Sequence, residues 1–293
     1  MAVEQALESR YVEVVLDQSA VKVHYHDLGN LRSDLPPIVM LHGSGPAACG
    51  AHNFSQNVGH FIDLGFRVIL LDWPGWGKSD SLVSKGSRSS LNAQVLRRVL
   101  DGLGIDRPVH IVGNSMGAHS ATIFAIENPG RVSKLVLIGG GNGGRGLFQA
   151  APTEGIQKII AFYQHPSLER MRDLLSTVIY RRGLISDETV QSRFEAAMMR
   201  TDHIENYCKS IHVNPMQYPD VSARLPEIDV PTLIFWGQDD RVVPLDLGLR
   251  VATLIPDADM HIFSQCGHVP HMEQASKFNL LASWFLNDRT GQT

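Results

Sequence analysis

Val109-His110-Ile111-Val112-Gly113-Asn114-Ser115-Met116-Gly117-Ala118-His119 runs an apolar strand into Gly-x-Ser-x-Gly and then into a helical pattern. The two glycines lack Cβ atoms, so the chain can turn sharply from strand to helix and lift a serine hydroxyl above a sheet. With 26 glycines in 293 residues, the bare pattern arises by chance in roughly one such chain in six, so its context must decide. Here the strand precedes it and the helix follows, which makes Ser115 a candidate nucleophile.

A serine nucleophile needs a base to take its proton and a carboxylate to orient that base. Pro231 to Trp236 reads as a buried strand and ends in Gly237-Gln238-Asp239-Asp240, a turn with two adjacent acids, either of which could orient the base. Met260 to Phe263 reads as the next strand, and Ser264-Gln265-Cys266-Gly267-His268 places His268 just beyond it as general base. An oxyanion hole is also required, because negative charge develops on the attacked carbonyl oxygen. Pro37 to Leu41 is a short apolar strand running into His42-Gly43-Ser44-Gly45-Pro46. Its donors are expected to be the N–H of Met116 and that of Ser44 or its neighbour. Four motifs in this order, each at a strand's C-terminal end, indicate an α/β-hydrolase fold.

The surrounding pattern agrees. Tyr11 to Leu16 and Val21 to Asp27 alternate as an antiparallel edge hairpin. Helices are expected over Phe54 to Leu64, Ser90 to Leu103 and Met116 to Asn128, alternating with apolar strands at Pro37 to Leu41, Arg67 to Asp72, Val109 to Val112 and Lys134 to Gly139. Such alternation implies a mostly parallel sheet of about eight strands covered on both faces. Gly139 to Gly144 reads as a flexible exit from the sheet. Residues 1–144 and 213–293 are then the core, and 145–212 a helical lid between the sixth and seventh strands. The last helix, Lys277 to Leu286, carries Phe278, Leu281 and Phe285 on one face.

Composition narrows the function. A net charge of -4 with interspersed signs leaves no basic footprint for nucleic acid. Cys49, Cys208 and Cys266 have neither metal-ligand nor redox spacing and suggest a reducing compartment. The opening MAVEQALESRYVEVV has no apolar run or cleavage pattern, and no stretch reaches the length of a membrane span, so a cytoplasmic location is expected.

Further segments carry a resemblance. HGSGP, DWPGWGKSDS at Asp72 to Ser81, GSRSSLNA, GNSMGAHS, the GGGNGG run, PTEGI and WGQDDRVVPLD together resemble the meta-cleavage product hydrolases, from about Val14 to Phe285. These enzymes split a carbon–carbon bond in 2-hydroxy-6-oxo-hexa-2,4-dienoates, the ring-opened products of catechol dioxygenases. The GNSMGxHS form is most similar to the branch acting on 2-hydroxy-6-oxonona-2,4-dienedioate in phenylpropionate degradation. The resemblance implies Ser115 as nucleophile, Asp240 as orienting acid and His268 as base. It also implies Ser44 in the oxyanion hole, Arg193 on the dienoate carboxylate, and Asn114 and Asn53 on the C2 oxygen, with Gly43 lining the substrate. No cofactor or metal is implied, and a dimer or larger homo-oligomer is. The sequence departs from the pattern where Val269-Pro270 follows the base in place of the usual tryptophan.

The implied chemistry begins with a proton moved to C5, with His268 as shuttle, which creates a ketone electron sink. The C6 ketone is then attacked by Ser115 or by water activated by His268. The competing readings are an aryl (biphenyl-type) ring-fission hydrolase, a carboxylesterase and a non-catalytic small-molecule receptor. Most of the thirteen histidines are expected at the surface or in loops. His271 and His42 are read as structural or wall residues, His119 either as close to the site or as a satisfied core histidine, Cys266 as a buried filler, Glu273 as structural and Arg181-Arg182 as a solvated face. Ile179, Phe194, Met198 and Met199 are expected to turn toward the core.

Overall fold

Ile38-Val39-Met40-Leu41 and Val68-Ile69-Leu70-Leu71 are apolar at every position, and each residue is essentially inaccessible to solvent. A strand with this pattern satisfies both its faces only when each is covered. The computed structural model, which describes residues 7–16, 19–140, 144, 146–148 and 151–288, shows that arrangement. Its eight strands are β1 (Arg10–Leu16), β2 (Ser19–Gly29), β3 (Ile38–Leu41), β4 (Arg67–Leu71), β5 (Val109–Asn114), β6 (Val132–Ile138), β7 (Thr232–Gly237) and β8 (Ala258–Phe263). They lie in the order β1-β2-β4-β3-β5-β6-β7-β8. Pairing is antiparallel for β1 with β2 and β2 with β4, and parallel from β4 to β8. Val39, Leu41, Ile69, Leu71, Ile111, Ile234 and Trp236 enter one core. Their chain neighbours Ile38, Met40, Val68, Leu70, Val112, Leu233 and Phe235 enter the other.

The helix expected over Phe54 to Leu64 is shorter, α2 (Val58–Asp63), and a separate short helix, α1 (Gly50–Asn53), precedes it. Local hydrogen bonds explain the break between them. Cys49 Sγ caps α1 by accepting from His52 N, and Gly50 N donates to Asp72 Oδ1 at 2.8 Å. Asn57, in the turn between them, donates to His271 O and Asn279 Oδ1. The other core helices are α3 (Arg88–Gly102) and α4 (Met116–Glu127), followed later by three near the C-terminus. Between β6 and β7 the described residues form α5 (Glu154–Gln164), α6 (Leu168–Val178), α7 (Asp187–Met198) and α8 (Thr201–Val213). After β7 come α9 (Leu245–Leu254), α10 (Pro270–Glu273) and α11 (Ala275–Asn287). Phe278 and Phe285 of α11 are buried in the second core, with Leu281 partly buried against it. Of the glycine run expected as a flexible exit, residues 141–143 lie outside the described residues.

The DWPGWGKSDS segment is organised by one carboxylate. Asp72 accepts from Gly50 N, His24 Nδ1 and Lys78 N at 2.8, 2.7 and 3.1 Å. Burial opposes its charge, but the His24 hydrogen bond and the neighbouring imidazoles outweigh it and lower its pKa. A Cβ on Gly77, where φ is +53°, would lie 1.9 Å from Asp72 Oδ2, so this turn admits only glycine. Among the described residues no helix is long and apolar enough to cross a membrane.

Candidate active site

Ser115 stands between β5 and α4 with φ 53° and ψ -115°. The flanking glycines supply room. A Cβ on Gly113 would meet Gly117 O at 2.6 Å, and one on Gly117 would meet Leu41 O at 2.0 Å. Ser115 N donates to Ile138 O at 2.8 Å, which fixes the turn against the end of β6.

His268 follows β8, and its Nδ1 lies 2.8 Å from Asp240 Oδ2. The other oxygen of Asp240 accepts from the amides of Val242 and Val243 at 2.8 and 2.9 Å. The carboxylate is thereby held on both sides, while Asp239 is exposed. With Nδ1–H directed at the carboxylate, His268 Nε2 is left as the ring's proton acceptor. The backbone of His268 is tied to the inserted helices, its N donating to Val178 O at 2.8 Å. Glu273 orders the same loop by accepting from Gly267 N at 2.7 Å and Arg181 N at 2.8 Å.

The loop after β3 crosses directly beside Ser115, where a Cβ on Gly43 would stand 3.2 Å from both Ser115 Cβ and Asn114 Oδ1. Trp73 N donates to His42 Nε2 at 3.0 Å, so the ring proton is on Nδ1, which donates to Gly43 O at 2.7 Å. Burial lowers the His42 pKa and keeps the ring neutral. Met116 begins α4, so its N–H is among those a helix leaves without an internal acceptor.

Ser44, Asn53, Asn114, Ser115, Arg193 and His268 line one cavity, with Val269 in its wall where a tryptophan was expected from the resemblance. Asn53 Nδ2 reaches Asn114 Oδ1 at 3.4 Å, and Arg193 Nη1 donates to Ala47 O at 3.2 Å. The Arg193 charge, aided by burial, lowers the pKa of neighbouring His52 to about 3. A second cavity shares Ser44 and Ser115 and extends the other way, past Met116, His119, Ile156, Tyr218 and Val243. Ser115 therefore stands where two mostly apolar pockets meet, the first of which also carries Arg193, Asn53 and Asn114.

Two expectations need correction. Eight of the thirteen histidines are buried: His24, His26, His42, His110, His119, His203, His268 and His271. They fill the core because a neutral imidazole can hydrogen-bond to backbone or lie against aromatic rings, as His271 does beside Phe54 and Phe278. Met199 is 83% exposed and Met198 38%, since the end of α7 turns them outward; Ile179 is buried and Phe194 half-buried against the core. Cys266 is fully buried, with its thiol pKa raised by burial and by Glu273. His119 Nε2 donates to Pro219 O at 3.0 Å. Arg181 and Arg182 are exposed. Sequence reasoning assigned no role to Tyr163 and His203, nor to Trp76 of the DWPGWGKSDS segment, whose rings gather beside the loop after β3; only aromatic character marked the first two.

An alpha/beta hydrolase fold family model matches residues 36–275. The chain is 50% identical over 282 residues to the 2-hydroxy-6-oxononadienedioate/2-hydroxy-6-oxononatrienedioate hydrolase of Burkholderia vietnamiensis, covering 96% of each chain. It is 47% identical over 287 residues to the like-named enzyme of Cupriavidus pinatubonensis, covering 98% of each. Among solved structures, the meta-cleavage product hydrolase of Pseudomonas fluorescens IP01 superposes with a TM-score of 0.81 at 28% identity, over 94% of this chain and 97% of that one.

Proposed function

The chain belongs to the meta-cleavage product hydrolases of the alpha/beta hydrolase family, and from that membership we propose that it hydrolyses 2-hydroxy-6-oxonona-2,4-dienedioate to 2-hydroxypenta-2,4-dienoate and succinate. The observation that carries this reading is the pair of cavities meeting at Ser115. One arm offers Arg193, Asn53 and Asn114 to a carboxylate and an oxygen at C2. The other offers a mostly apolar channel with a few polar groups to the C6 substituent. An ordinary esterase has no need of the first arm.

In this reading Arg193 and the asparagines hold the dienoate end while His268 carries the proton of the C2 hydroxyl to C5. The C5–C6 bond then joins the C6 ketone to a carbon conjugated through C3=C4 to the C2 ketone, which is the electron sink. Ser115 attacks C6 as His268 takes its proton, and the amides of Ser44 and Met116 receive the oxyanion, a contribution of about 3–4 kcal/mol per donor in related chemistry. Collapse breaks the C5–C6 bond, its electron pair enters the C2 ketone system, and His268 gives the serine proton to the C2 oxygen of the departing dienolate, which returns the ring to its basic form. Water, activated by His268, then releases succinate from Ser115. Residues 145–212 act as a lid over this path, and a homodimer or larger assembly in the cytoplasm is part of the same reading.

The test is stopped-flow absorbance with the dienedioate, its 6-phenyl analogue and p-nitrophenyl acetate. Bleaching of the dienedioate by the wild type, and its loss in Ser115→Ala with substrate binding retained, is the expected result. Turnover of the ester alone, or a Ser115→Ala variant retaining more than a small residual rate, overturns the reading.

A further inference from the structure

Three consecutive carbonyls of the loop beside Ser115 are each held by a side-chain donor. Gly43 O accepts from His42 Nδ1 at 2.7 Å, Ser44 O from Tyr163 OH at 3.1 Å and Gly45 O from Trp76 Nε1 at 3.2 Å. In a trans peptide the C=O and N–H point in opposite directions. Anchoring Gly43 O therefore aims the Ser44 N–H, and anchoring Ser44 O aims the Gly45 N–H. His42 and Trp76 belong to the core, whereas Tyr163 comes from α5 of the insertion.

We propose that Tyr163 is a positioning residue for the oxyanion loop: His42 aims the Ser44 N–H directly, Tyr163 fixes the following Ser44–Gly45 peptide, and the donor residue is thereby clamped on both sides, one of them by the inserted helices. The inference rests on the assignment of that loop as oxyanion donor. Its proton inventory is consistent. Ser44 O can only accept, so the Tyr163 hydrogen is committed to it. The contact of 3.2 Å between Tyr163 OH and His203 Nε2 must then be donated by His203. His203 Nδ1 is left bare, facing Gly75, where a Cβ would lie 2.6 Å away. Burial pushes the Tyr163 hydroxyl far above its ordinary pKa, so it keeps its proton. Burial, with Arg88 and Arg200 nearby, lowers His203 to about 3 and keeps it neutral. The result is a directed chain from α8 through α5 to the loop: His203 N–H to Tyr163 O–H to Ser44 C=O. Tyr163 is locked in place by stacking on Tyr207, with ring centroids 3.9 Å apart.

The reaction itself separates positioning from mere support. Proton delivery to C5 needs no oxyanion at C6, whereas cleavage does. Stopped-flow on Tyr163→Phe should show loss of the dienol at the wild-type rate with unchanged KM, and appearance of 2-hydroxypenta-2,4-dienoate slowed about tenfold, as for one lost buried hydrogen bond. His203→Leu, which keeps Tyr163 but removes the donor to its oxygen, should slow the same step by about threefold; it also serves if Tyr163→Phe does not fold. Equal slowing of both steps, a raised KM with normal cleavage, or no change in either overturns the proposal. Wild-type protein that does not cleave the dienedioate at all overturns the functional reading instead, so the two failures are distinguishable.

Discussion

The turn at Ser115 and the helices inserted between β6 and β7 are held by different means. At the turn, contacts are backbone against backbone: Gly113 lies against Gly117 and Gly117 against Leu41, with no room for one added carbon. The insertion buries Ile159, Phe162, Met171 and Leu174 in the shared core and is fastened as well by side chains reaching core carbonyls. Tyr163 reaches Ser44 O, Arg193 reaches Ala47 O, and Arg200 reaches Gly77 O and Ser79 O. Where atoms react, placement depends on the exclusion of volume, which cannot be relaxed in part. In the insertion, part of the placement depends on hydrogen bonds that can be removed one at a time.

The sharpest break in that contrast would come from Gly117→Ala. Its Cβ would lie 2.0 Å from Leu41 O, so soluble folded protein should be lost; any that survives should melt lower by about 6–12 °C, for overpacking of about 3 kcal/mol. A variant that folds and turns over normally would mean that the turn is as adaptable as the insertion.

Acid should act on both regions. Burial lowers His110 on β5, His271 in the core and His203 in the insertion to about 3. In the unfolded chain these rings protonate near pH 6.5, so below that pH the unfolded state binds more protons and stability falls as pH falls toward 3. Each contributes a loss of about 1.4 kcal/mol per pH unit across that window at most. Melting temperatures should be level above pH 7 and drop steeply from pH 6.5 to 5; a flat profile would show these rings to be solvated.

The smallest effect is expected where a single tether is cut. Arg193→Gln should raise KM for the dienedioate about tenfold to a hundredfold, as for a lost charged hydrogen bond of about 2 kcal/mol, while p-nitrophenyl acetate turnover stays within twofold. Equal loss on both substrates would place Arg193 with the reacting atoms instead.

The legible part of the molecule follows the same division. The strands from Ile38 to Ile138 and the elbow are local patterns, because apolar runs and Gly-x-Ser-x-Gly record constraints between near neighbours. The acid pair resolves on geometry no spacing contains: Asp240 has amides on one oxygen and His268 on the other, while Asp239 faces water. Tyr163 and Ser44 are 119 positions apart, and no periodicity connects them. The break between α1 and α2 depends on Asn57 reaching Asn279, likewise a distant partner. The outward Met199 shows the converse error, since an apolar side chain alone does not reveal which way a helix end faces.

Ser115 is one of three described non-glycine residues with positive φ, a conformation that costs a β-carbon-bearing residue about 1–3 kcal/mol. Glycine would adopt it freely. Ser115→Gly is therefore expected to be more stable than the parent chain. Selection for stability alone would favour glycine here, so serine at this position is kept against a standing cost.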